Sequence, residues 1–90
     1  MAQQPMLSDE RFIDIIQNAF RPMRCVAQIW DYDHKVRFQV EDLATGHKWT
    51  NETMTKLQAQ QAHALASILG QTRNMIETKG YRLDAWEFPD

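Results

Sequence analysis

Residues 51–80 read NETMTKLQAQQAHALASILGQTRNMIETKG, and from Leu57 to Thr72 the stretch holds no Lys, Arg, Asp or Glu. Leu57, Leu65, Ile68, Leu69, Thr72 and Ile76 recur at near-helical spacing and make one apolar stripe. Ala59, Ala62, Ala66 and Gly70 make a second stripe of small residues beside it. Asn51 or Thr53 can serve as N-cap, and Gly80 can end the helix. A solvated helix surface normally carries interspersed charge. A long helix without charge for about four turns is therefore expected to touch protein on more than one side.

Working outward, the period before this helix is two. Cys25, Ala27 and Ile29 alternate with Arg24, Val26, Gln28 and Trp30; Val36, Phe38 and Val40 alternate with Lys35, Arg37, Gln39 and Glu41. The short link Asp31-Tyr32-Asp33-His34 makes these runs a β-hairpin. Leu43-Ala44-Thr45-Gly46 is a second turn, leading to a third strand over His47 to Thr50. Upstream, Ser8 is the natural N-cap of an amphipathic helix carrying Phe12, Ile13, Ile15, Ile16, Ala19 and Phe20, which Pro22 ends. Downstream, Tyr81 to Phe88 alternates again, as a final strand or an extended tail lying on the fold.

The expected fold class is α+β: a small antiparallel three-stranded sheet with two helices on one face, in the order α-β-β-β-α, with a C-terminal strand as an option. Residues 1–7 are expected to be disordered and 8–90 to form a single domain. The inward sheet face is Cys25, Ala27, Ile29, Val36, Phe38 and Val40. Val26 and Trp30, with Trp49 as a further candidate, fall on the opposite face.

Ninety residues with 43% hydrophobic and 24% charged side chains are ordinary for a globular chain. The net charge of −2 lacks the basic excess of a sequence-blind nucleic-acid binder. A lone Cys25, no basic-apolar leader pattern and no long apolar run make a cytoplasmic location the expectation and give no sign of a membrane span. The three histidines and Cys25 form no local metal-ligand spacing. The three isolated glycines build no phosphate loop, and no Gly-flanked nucleophile turn exists. No cofactor or metal is implied and no enzyme is expected. A ligand at His34 or His47 is the least favoured alternative.

What remains is contact. Trp30, Trp49, Trp86 and Phe88, together with Gln58, Ala62, Ala66 and Gly70, are the expected partner-binding residues of a homodimer or of a complex with a larger protein. Arg24, Lys35 and Arg37 are the candidate nucleic-acid patch, disfavoured because Asp31, Asp33 and Glu41 lie beside them in sequence.

The α-β-β-β-α order resembles a double-stranded-RNA-binding domain. That family carries phosphate contacts on a Lys-rich start to its second helix, whereas Thr53 to Gln60 here holds only Lys56. The chain more closely resembles an uncharacterised, domain-of-unknown-function family of small bacterial proteins with the pattern helix, F-x-P-x-x-C, hairpin, D-x-x-[ST]-G, helix. Ile15-Ile16, Phe20-Arg21-Pro22-Met23-Arg24-Cys25, Asp42-Leu43-Ala44-Thr45-Gly46, Ile68-Leu69 and Arg73 carry that likeness, over residues 10–77. Arg73 has no evident place in a core and is expected to face solvent. The resemblance implies the fold and supplies no activity.

Overall fold

A computed structural model describes residues 6–89. The order is α1 (Asp9–Asn18), β1 (Arg24–Trp30), β2 (Lys35–Glu41), β3 (Lys48–Thr55), α2 (Lys56–Gln60) and α3 (Ala62–Thr78). It is the expected α+β arrangement, with one antiparallel sheet in the order β1-β2-β3. Residues 1–5 of the expected disordered N-terminus lie outside the described residues. Leu7 packs on the core, and its N–H donates to Gln60 O at 2.8 Å.

Helix α1 starts where Ser8 Oγ accepts the Arg11 N–H at 3.2 Å, with Asp9 and Glu10 at the positive end of the helix dipole. Its spacing turns Phe12, Ile15 and Ile16 inward, and Ala19 and Phe20 continue the same buried surface. Register in the hairpin places Cys25 opposite Val40, Ala27 opposite Phe38 and Ile29 opposite Val36. The inward face is therefore the expected one. Phe38 stacks on Phe20 at 5.6 Å between centroids, which ties sheet to helix at the centre of the core. In the hairpin turn Asp31, Tyr32 and Asp33 all take positive φ (56°, 53° and 71°). Aspartate tolerates that conformation; Tyr32, 93% exposed, bears its steric cost without any packing return.

The sequence places the third strand and the long helix wrongly. The strand runs on to Thr55, and neither Asn51 nor Thr53 is an N-cap. Asn51 Oδ1 does accept the Thr53 N–H at 3.1 Å, which is the short-range bond a cap would make, but here it shapes a bulge. The bulge re-aims the strand so that Met54 lies opposite Val36 and is buried. Thr55 is the cap, in a reciprocal box: Gln58 N donates to Thr55 Oγ1 at 3.1 Å, and Thr55 N donates to Gln58 Oε1 at 2.9 Å. Gln61, with φ −98° and ψ 115°, then breaks the expected single helix in two. Leu57 consequently falls off the apolar stripe and is 57% exposed, while Leu65, Leu69 and Ile76 are fully buried.

No final strand forms. Residues 81–89 are an extended strap across the fold, the other option read from the sequence. Asp84 N donates to Arg21 O at 2.8 Å. Arg73, far from facing solvent, is half-buried beneath the strap. Its guanidinium donates to Ala19 O at 2.6 Å and to Asp84 O at 2.7 Å, and lies 5.6 Å from the Trp86 ring centroid. One side chain thus joins the end of α1, α3 and the strap. Among the described residues no helix is long and apolar enough to cross a membrane.

Replacing Arg73 by Ala removes two charge-assisted hydrogen bonds and the cation–π contact. The expected cost is about 2 kcal/mol, or a fall in Tm of roughly 8–16 °C for a domain of this size. A red shift in Trp86 fluorescence should accompany it. Unchanged melting and emission would remove Arg73 from its role as a latch.

Candidate functional site

All the helices and the strap cover one side of the sheet, leaving the other side bare. Alternation along β1 and β2 places Arg24, Val26, Gln28, Trp30, Lys35, Arg37, Gln39 and Glu41 there. Lys48, Thr50 and Glu52 of β3 complete the face; Lys48 pairs with Glu41 and Thr50 with Gln39 in register. The sheet's twist makes it a shallow concavity of about 540 Å³. Val26 is 41% exposed near its middle.

Arg37 organises this face. Its Nε and Nη2 donate to Gln28 Oε1 at 3.2 and 3.0 Å, and its Nη1 lies 3.8 Å from Glu52 Oε2. Its guanidinium is also 5.3 Å from the Trp30 ring centroid, and Lys35 Nζ approaches the same ring at 5.6 Å. Arg37 is thereby engaged by Gln28, Glu52 and Trp30 at once. Trp30 Nε1, in contrast, is buried with no hydrogen-bond acceptor among the described residues. Leaving such a donor unmatched costs on the order of 1–3 kcal/mol.

The structure separates the residues that the sequence grouped. Trp30 stands on the open face with Arg24, Lys35 and Arg37. Trp49 does not: it lies opposite Val40 on the helix-facing side, half-buried, edge-on to Tyr81 at 4.9 Å and tilted against His47 at 4.5 Å. Trp86 and Phe88 form an edge-to-face pair at 6.1 Å within the strap, packed on the core. Gln58 is occupied by the capping box. The small residues follow no single surface: Ala59 is fully buried, Ala62 and Ala66 are half-buried, and Gly70 is exposed with nothing near its Cα hydrogen. Spacing of four residues drifts about 40° per step around a helix, so the stripe rotates from core to solvent.

Sequence reasoning missed Lys48 and Glu52, because the expected strand ended before Glu52 and Lys48 drew no attention in isolation. The signal was present in the alternation of Lys48, Thr50 and Glu52. The lysine opening α2 is already engaged: Lys56 Nζ is 2.8 Å from both Asp33 carboxylate oxygens and 3.5 Å from Asp9 Oδ2. The Asp33 hydrogen bond, followed by the attraction of Asp33 and Asp9, raises its pKa. Among the described residues no three His, Cys, Asp or Glu side chains gather as a metal site. Cys25 is buried, and desolvation pushes its thiol up to about 12.

Comparisons with protein-family models, curated proteins and solved structures find no match to this chain.

Because Cys25 holds its proton in the folded state from pH 9 to about 12 while the unfolded thiol loses it, stability must fall as pH rises through that window. The expected slope is about 1.4 kcal/mol per pH unit from this group. Lys56, also raised, adds a loss in the same direction above its ordinary pKa. Denaturant titrations of wild type and Cys25→Ala between pH 8 and pH 11 check this, and equal slopes would overturn it. A thiol reagent should label Cys25 only after unfolding.

Proposed function

We propose that this chain works by binding another protein through the bare face of its sheet, with Trp30 and Arg37 as the anchor. The observation that carries the reading is Trp30: a large aromatic ring with an unmatched indole donor, beside an arginine already held in place. Trp and Arg are the residues most enriched among interface hot spots, and a preorganised arginine loses little entropy on binding. Trp30 Nε1 is covered in the free chain, so a partner carbonyl or carboxylate would supply the missing acceptor once a covering side chain moves aside. The surrounding charges are mixed, with Arg24, Lys35 and Lys48 interleaved with Glu41 and Glu52. Such a rim matches the polar border of a protein interface better than a phosphate backbone. The reading assigns the chain no chemistry and no cofactor, and it places the protein in the cytoplasm.

A second reading, a nucleic-acid-binding module, is favoured by one observation: Arg24, Lys35, Arg37 and Lys48 outnumber the two carboxylates on this face. It predicts binding to single- or double-stranded oligonucleotides that weakens steeply with salt. Glu52 on Arg37 and the engaged Lys56 weigh against it.

Affinity capture from the source organism, followed by titration of the purified partner, tests the leading reading. Trp30→Ala and Arg37→Gln should each weaken binding by about 30-fold or more, consistent with loss of a hot spot, with circular dichroism unchanged. Oligonucleotide binding that falls steeply with salt and vanishes in Arg37→Gln would transfer the face to the second reading.

A further inference from the structure

The two edges of the sheet are treated differently. On β1, Gln17 of α1 reaches over and its Oε1 accepts the Ala27 N–H at 3.1 Å, so that edge is blocked. On β3, no backbone hydrogen bond from a helix, turn or strap reaches residues 48–52 among the described residues. The Ala27 bond also reveals the parity of the sheet. Ala27 points its backbone away from β2, so its register partner Phe38 turns toward Asn51 on β3, and Val40 likewise toward Trp49. Alternation leaves Lys48, Thr50 and Glu52 with their N–H and C=O groups directed out of the sheet. No proline or inward charge protects this edge, and the bulge begins only at Glu52, the last residue of the paired stretch.

We propose that this edge pairs with the same edge of a second copy, antiparallel about a two-fold axis through Thr50, to make one continuous six-stranded sheet. Charge complementarity identifies the occupant. With Thr50 opposite Thr50, Lys48 of each copy lies opposite Glu52 of the other on the open face, giving two opposite-charge pairs. Shifting the pairing by two residues either way breaks those pairs, and a shift of four sets Lys48 against Lys48 or Glu52 against Glu52. The edge selects its own register. On the helix side, a groove of about 260 Å³ separates β3 from α3, lined by Trp49, Asn51, Gln71, Thr72 and Met75. It carries no charge, and Met75 is 44% exposed. The two-fold axis brings the grooves of both copies together there, which accounts for the lack of charge on this flank of α3. The edge shares Lys48 and Glu52 with the rim of the open face but does not include Trp30, so replacing Trp30 separates this inference from the proposed function.

Sedimentation of the full chain over a wide concentration series should show a reversible monomer–dimer equilibrium. Glu52→Lys and Lys48→Glu should each raise the dimer Kd by roughly tenfold, and the double variant should recover most of the loss. Thr50→Pro should leave a folded monomer, since the Thr50 N–H is not used by β2. Thr50→Cys should form a cross-linked dimer on mild oxidation, because paired Cα atoms in this geometry lie about 5.5 Å apart, whereas Gln28→Cys on the open face should not. Trp30→Ala should leave the dimer intact. A chain that stays monomeric at every concentration overturns the proposal. So does a dimer indifferent to Glu52→Lys and Thr50→Cys, whatever Thr50→Pro does to folding.

Discussion

A three-stranded sheet with one face to bury sets the terms for every other element here. The two-residue period of β1 and β2 sorts Val36, Phe38 and Val40 to one side and Lys35, Arg37 and Gln39 to the other. A sheet this small cannot stand in water with its apolar face open, so the rest of the chain is cover. Helix α1 lays Phe12, Ile16 and Phe20 on it, α3 adds Leu65, Leu69 and Ile76, and α2 contributes Ala59. No charged or polar residue is buried among them. Each deleted Phe or Leu would therefore cost several kcal/mol, roughly 2–5, with no polar network to share the loss.

Cover alone does not close the domain. The end of α1 and the strap each leave a backbone carbonyl in need of a donor, and Arg73 meets both at once, at Ala19 and Asp84. An arginine suits this position because its fork reaches two acceptors while its flat face lies against Trp86. Lys56 plays the corresponding part at the other end, joining the hairpin turn and the start of α1 through Asp33 and Asp9. The aromatic residues near the strap are thereby committed to structure. The cover does not reach the face with Trp30 and Arg37 or the edge of β3.

Much of this was legible from local pattern. The hairpin, its inward residues, the Ser8 cap and the α1 stripe follow from periods of two and 3.6, which depend only on near neighbours. The end of β3 was not legible in the same way. Asn51 makes a bond two residues along the chain in either a cap or a bulge, and only the position of Val36 on the facing strand, which needs Met54 opposite it, decides between them. Trp49 shows the same limit. Its side of the sheet depends on pairing with Val40, not on its neighbours in sequence.

Local pattern in the sequence sufficed for the fold class, the order of elements and the inward residues of β1 and β2, because side-chain alternation and capping act over a few residues. It also placed Trp30, Arg24, Lys35 and Arg37 on one side of the hairpin. Tertiary structure alone decided that Trp86 and Phe88 are strap, that Arg73 is a latch and that the Gln58 side chain is a cap. It alone exposed one sheet edge while blocking the other. Those outcomes depend on contacts between residues such as Arg73 and Ala19, or Gln17 and Ala27, which lie far apart in sequence or on different elements. No local period encodes such contacts, since their energy exists only once the chain has closed on itself.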